Sequence, residues 1–245
     1  MRRFGFDVIQ KTHLSDAWES QRRLINEVQE PVIFDVGANI GDTVLKYRKL
    51  FPLSRIHAFE PYGPTFAKLS SRVNQDEKVK LHPVAVSECN GSAPFYYNPR
   101  YHASNSLLQR PASGPIYFPK QATLNERVVV STISIDKFCL EYEVDRIHIL
   151  KMDIQGAELM ALKGASNMLE AQRISLIYLE VMFVPHYEGN PLFCDILEFL
   201  STFGYSLYGL YDLVFARDGQ LRYSDAIFIN EAVRKQNAAG IGGSI

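Results

Sequence analysis

Residues 32–43 read VIFDVGANIGDT, and residues 57–61 read HAFEP. In the first stretch Val32, Ile33, Phe34 and Val36 are bulky or β-branched, the pattern of a buried strand. Gly37 and Gly41 frame Ala38–Asn39–Ile40, and apolar residues then recur at helical spacing through Val44 and Leu45. Strand, glycine turn, helix is the local geometry that brings a backbone and a helix N-terminus up against a ligand. The second stretch is another strand, ending in Glu60 and Pro61.

The same alternation extends in both directions. SDAWESQRRLINEVQ (15–29) has the spacing of an amphipathic helix, and Pro31 separates it from the first strand. Beyond the opening strand a helix is expected over 41–51, a strand over 54–60, a helix over 64–74 and a third strand, VKLHPVAVS, over 79–87. A short strand at 92–97 leads into residues 98–127, rich in Pro, Ser, Asn and Tyr, which read as a surface loop on the substrate side. Strands follow at 127–135, 146–152 and 174–182, with helices over 156–170 and 191–203. Two last strands within 205–229 join at the turn pair Asp218–Gly219. Alternating strands and helices predict an α/β doubly wound, Rossmann-like sheet, mostly parallel with an antiparallel last strand and helices on both faces. The expected organisation is an N-terminal helical extension (1–30), one domain (31–230) and a flexible tail (231–245).

Composition narrows the function. The chain has 245 residues, 47% hydrophobic and 22% charged, with a net charge of −1. That balance gives no electrostatic footprint for nucleic acid or an anionic membrane. No apolar run is long enough to span a membrane, and MRRFGFDVIQKTHL lacks the apolar centre of a signal peptide. Cys89, Cys139 and Cys194 lie far apart, as reduced thiols of a cytoplasmic protein would.

In a sheet of this kind ligands bind beyond the carboxyl ends of the strands. Asp35, Glu60, Asp153 and Glu180 all fall there. The turn is D-x-G-x-x-x-G rather than the G-x-G-x-x-G that seats a pyrophosphate. Asp35 would repel phosphate and favour an amine or sulfonium, and Glu60 can accept both hydroxyls of a ribose. A cationic amino acid joined to an unphosphorylated ribose describes S-adenosylmethionine. The candidate cofactor residues are Asp35, Gly37, Ala38, Asn39, Gly41, Asp42, Thr43, Glu60, Pro61, Val86, Ser87 and Asp153.

DVGANIGDT, AFEP, VAVSE, SIDKF and LKMDIQGAELMALKGA, in this order, resemble the FkbM-type family of S-adenosylmethionine-dependent methyltransferases, and the likeness runs from about residue 30 to 230. It implies a class I methyltransferase fold with a seven-stranded sheet, and usually O-methylation of sugars, polyketides or related metabolites. One position departs from the family pattern: Gln155 stands where a glutamate is usual, keeping the size and hydrogen bonding without the charge.

Methyl transfer to a hydroxyl needs the acceptor held in line and its proton removed. Asp153, Glu180 and His186 are the candidate catalytic groups, His186 because an ordinary imidazole titrates near neutral pH. His102, Ser104, Asn105, Ser106, Gln155, Glu158 and Tyr187 are candidate substrate contacts. No ligand spacing is diagnostic of a metal, so none is assigned. The leading reading is a small-molecule O-methyltransferase. The alternatives are a protein that binds the cofactor without catalysis and a nicotinamide-dependent oxidoreductase. The missing G-x-G-x-x-G weighs against the latter, and the absence of an Asn/Asp-Pro-Pro-aromatic run weighs against nucleobase methylation.

Overall fold

The computed structural model describes residues 16–73, 75–98, 102–111 and 126–242. The opening stretch forms β1 (Val32–Val36), buried along its whole length, and α2 (Asp42–Leu50) after the turn. Helix α1 (Ala17–Leu24) precedes it, with the Asp16 side chain accepting from Trp18 N as its cap. Then come β2 (Arg55–Phe59), α3 (Gly63–Val73), β3 (Val79–His82), β4 (Ala85–Val86), β5 (Gly91–Tyr97) and β6 (Glu126–Ile133). The second half comprises α4 (Ile135–Glu141), β7 (Ile147–Met152), α5 (Glu158–Lys163), α6 (Ser166–Glu170), β8 (Ile174–Met182) and α7 (Phe193–Thr202). It ends with β9 (Ser206–Phe215), β10 (Leu221–Ile229) and α8 (Glu231–Gly242).

Seven strands make the main sheet in the order β3-β2-β1-β7-β8-β10-β9. Five run parallel, and β10 is antiparallel to both β8 and β9. The chain starts at the centre, moves out to one edge, then returns to build the other. Its reversal between β1 and β7 makes the crevice where ligands of such sheets sit.

Strand alternation divides the core in two. Phe34, Leu150, Ile177 and Phe228 face α4, α5, α6 and α7 through Phe138, Leu162, Leu169 and Leu200. Ile33, Ile149, Leu176 and Ile227 face α1, α2, α3 and α8 through Leu24, Tyr47, Leu69 and Val233. Both faces are therefore covered, which is why the central strands read as continuous apolar runs.

Four elements differ from the sequence reading. The expected third strand splits at Pro83, and its second half joins a separate three-stranded sheet, β4-β6-β5. The expected helix over 156–170 breaks at Gly164, where a side chain would collide with the Ser87 carbonyl. An additional helix, α4, is capped by Ser134, whose hydroxyl accepts from Lys137 N at 3.2 Å. Residues 231–245, expected as a flexible tail, carry α8 to Gly242; Asn230 Oδ1 caps Val233 N at 2.9 Å and Val233 is buried in the core. Among the described residues no helix is long and apolar enough to cross a membrane.

Candidate active site

A cleft opens at the carboxyl ends of β1, β2 and β7. Val36, Gly37, Asn39, Phe59, Glu60 and Pro61 line one side. Val84, Ala85, Val86 and Phe95 supply apolar lining, and Asp153, Ile154 and Gln155 line the cleft too, together with Ala103, Asn105 and Leu107 of the loop after β5.

The glycine turn is tied to β2 by its backbone. Gly37 N and Ala38 N both donate to Phe59 O, at 3.0 and 2.9 Å. Gly37 has φ +78°, and a Cβ there would collide with the carbonyl of Asp153, so glycine is required for β1 and β7 to end side by side. Glu60 is 6% exposed, yet both carboxyl oxygens are held: Asn39 N donates to Oε2 at 3.1 Å and Tyr62 N to Oε1 at 3.0 Å. Burial outweighs these two bonds and lifts its pKa to about 7.

Asp153 is exposed to the cleft. Its Oδ1 accepts from Gln155 Nε2 at 2.8 Å, and the same amide nitrogen donates to Glu180 Oε2 at 3.2 Å. Tyr187 OH donates to Gln155 Oε1 at 3.0 Å and accepts from Arg110 at 3.1 Å. Ser106 Oγ donates to Gln155 O at 2.9 Å, which seats the loop after β5 on the end of β7. Burial, reinforced by the charges of Asp153, Glu158 and Asp225, pushes the Glu180 carboxyl well above the ordinary carboxylate range. Glu158 is buried beside this group, where Ile154 N donates to its Oε1 at 3.0 Å; burial lifts it to about 7.

Of the residues singled out in the sequence, Gly37, Asn39, Glu60, Pro61, Val86, Asn105, Asp153 and Gln155 meet in this cleft. The others do not line it, for identifiable reasons. Asp35 points to the opposite side of the pleat from Val36; it is fully buried and paired with Lys151 at 2.9 Å, so the expected contact with a cofactor amine is corrected to an internal ion pair. Gly41 has φ +91°, and a Cβ there would press on Leu69 of α3, so its constraint is helix packing. Asp42 is a surface partner of Arg72 at 2.7 Å, and Ala38 is absorbed in the core. Thr43 follows Asp42 in the first turn of α2, and Ser87 N is bonded to Ile133 O at 3.0 Å.

On the substrate side, Ser104 and Ser106 are buried and hold the loop, while Asn105 between them faces the cleft. Glu158 and Tyr187 support the cleft from behind. The His102 side chain lies outside the described residues, as do residues 112–125 of the expected substrate loop. The expectation that His186 serves as a base near neutral pH is corrected. Its ring is buried edge-on to Tyr223, 5.8 Å between centroids, and burial with the charges of Arg222 and Arg110 lowers its pKa to about 4. Glu180 is not among the residues that line the cleft; it is linked to Asp153 through the Gln155 amide.

Sequence reasoning missed Lys151 and, Val86 apart, the apolar lining Val84, Ala85 and Phe95. A lone cation in the strand IHILKM had to find a buried partner, and that was the available signal. Among the described residues no group of three or more His, Cys, Asp and Glu is placed to hold a metal ion.

The chain is similar to the 2-O-methyltransferase NoeI of Sinorhizobium fredii, 28% identical over 72% of this chain and 74% of that one. It is similar to the hexuronic acid methyltransferase AglP of Haloferax volcanii, 26% identical over 74% of this chain and 66% of the relative. An rRNA methylase from Streptococcus thermophilus, a solved structure, superposes with a TM-score of 0.48 at 11% identity, over 86% of this chain and 94% of that one. The model of the methyltransferase FkbM domain matches residues 35–207. The chain belongs to the FkbM family of methyltransferases, and its methyl donor is S-adenosylmethionine.

Proposed function

We propose that the protein methylates a hydroxyl of a small molecule, of the sugar, glycoside or polyketide class, in the cytoplasm. The observation that carries this reading is the placing of two carboxyl groups in one cleft. Glu60 is buried with both oxygens anchored, and Asp153 is exposed in the same cleft. The cleft fits the cofactor in three respects. Glu60 retains lone pairs for two ribose hydroxyls, Phe59, Val84, Val86 and Phe95 offer an apolar wall for a base, and Asn39 Oδ1 is buried without a hydrogen-bond partner among the described residues.

When bound, S-adenosylmethionine supplies a methyl group already activated on a sulfonium. The chain's own residues then have three tasks. Glu60, Asn39 and Gly37 bind and orient the nucleoside. Asn105 and the loop around it hold the acceptor. Asp153 accepts the acceptor hydroxyl's proton through the oxygen that Gln155 leaves open. The relatives named as a 2-O-methyltransferase and a hexuronic acid methyltransferase support a sugar-type acceptor. The cytoplasmic assignment rests on the thiols: Cys89, Cys139 and Cys194 are all free.

The test is a panel of glycosides, uronic acids and polyketides incubated with methyl-labelled cofactor. Label transferred to a hydroxyl and lost in Asp153→Asn supports the reading. Tight cofactor binding with no transfer to any hydroxyl compound, but transfer to a nitrogen or carbon acceptor, refutes it.

A further inference from the structure

Gln155 occupies an unusual place in this site. It is not glycine, yet its backbone has φ +56°, a left-handed conformation that L residues adopt only where surroundings enforce it. Its side-chain nitrogen lies between two carboxyl groups, 2.8 Å from Asp153 and 3.2 Å from Glu180. An amide NH₂ has two hydrogens, one for each. Its oxygen accepts from Tyr187 OH, which accepts from Arg110. A flipped amide would set its oxygen against the Asp153 carboxylate and its NH₂ toward the Tyr187 hydroxyl, whose one hydrogen also faces Ser104 O at 3.3 Å. Donors and acceptors run in one direction, from Arg110 through Tyr187 and Gln155 to Asp153.

We propose that Gln155 is a positioning residue, a neutral bridge that fixes one oxygen of Asp153, leaves the other open to the acceptor, and ties Asp153 to Glu180. A carboxylate in its place would set a third acid within hydrogen-bond reach of both Asp153 and Glu180, and like charges that close disfavour ionisation. The titratable groups that feel Asp153 are Glu180 and Tyr178 on β8, Glu158 on α5, Asp225 on β10, Lys151 on β7 and Asp35 on β1. Lys151, the one cation among them, is already paired with Asp35, and Arg110, on the other side of residue 155, is engaged with Tyr187 OH. The inference rests on Asp153 being the base of the proposed transfer, but the bridge itself can be tested without an acceptor.

The experiment is a carbon-detected NMR titration of the Asp153 carboxyl in the full chain labelled at Asp and Glu side chains. In Gln155→Glu the Asp153 midpoint should rise by at least about one pH unit relative to wild type. In Tyr187→Phe, which removes the hydroxyl that orients the amide without touching Asp153, the midpoint should rise by a few tenths. An Asp153 midpoint within about 0.2 unit of wild type in folded Gln155→Glu overturns the proposal. If that variant does not fold, an unmoved midpoint in Tyr187→Phe overturns it instead. A shifted midpoint in a protein that methylates no hydroxyl would keep the bridge and remove the proposed function, so the two failures are distinguishable.

Discussion

Cofactor affinity should depend on pH through Glu60. In the ligand-free protein burial holds its pKa near 7, although the N–H groups of Asn39 and Tyr62 pull it down. Ribose hydroxyls donate, so they bind the carboxylate better than the acid. With a midpoint near 7, about a tenth of Glu60 is ionised at pH 6 and about nine tenths at pH 8. Affinity for S-adenosylhomocysteine, a non-reacting probe, should therefore rise about tenfold between pH 6 and pH 8, or about 1.4 kcal/mol. Binding at pH 6 should also release up to about one proton, visible as a dependence of calorimetric heat on the buffer's ionisation enthalpy.

Glu60→Gln isolates the effect from the ligand's own titrations. Its amide can satisfy either Asn39 N–H or Tyr62 N–H but turns its NH₂ against the other. At pH 8 it should bind about 1.5–3 kcal/mol more weakly than wild type, the range for a lost charge-assisted hydrogen bond. At pH 6, where wild type is mostly protonated, the gap should narrow. Parallel affinity curves for the two proteins from pH 6 to 8 would refute the assignment of Glu60 to the ribose.

The two turn glycines should separate by severity. Gly37→Ala drives a Cβ into the Asp153 backbone and should abolish cofactor binding with loss of stability. Gly41→Ala meets only the flexible end of Leu69 and should cost about 1–2 kcal/mol, mostly from the left-handed φ, with affinity retained by calorimetry. Glu158 carries a stability signature. Its folded pKa of about 7 exceeds the ordinary 4.5, so the folded state holds a proton the unfolded chain releases, and stability present below pH 4.5 is lost as pH rises to 7. Denaturant titrations of Glu158→Gln should lack up to about 3 kcal/mol of that decline. Asp153→Asn should lower turnover by about 10²–10⁴-fold with cofactor affinity little changed. His186→Ala should leave the shape of the pH–rate profile as in wild type, because a ring with a pKa near 4 does not titrate near neutrality; loss of an inflection at pH 6–7 in that variant would return the base role to His186.

How much of this was legible follows from the range of each signal. Periodicity is local, so VIFDV, RIHAF and ISLIYLEVM announced their strands, and the order of strands and helices fixed the sheet class. Partner choice is not local. VKLHPVAVS carries strand propensity throughout, yet only its first half finds an edge on β2; past Pro83, Ala85 and Val86 pair with Thr132 and Ile133, some 45 residues away. The site obeyed the same division. Strand-end position was readable, and Glu60 and Asp153 both line the cleft. The direction of each side chain was not, because it depends on the pleat and on which strand lies alongside. Asp35 looked equivalent to Glu60 by position, but β1 pairs Asp35 with Lys151 of β7, and two buried opposite charges in adjacent strands bond to each other before they bond to a ligand. His186 was misread for a related reason. Its loop ends near the cleft, but Asn190 Oδ1 accepts from both His186 N and Tyr187 N, and this turn sends Tyr187 to Gln155 while the imidazole packs against Tyr223. A motif thus marks where a backbone arrives; which of its side chains does chemistry is decided by neighbours distant in sequence.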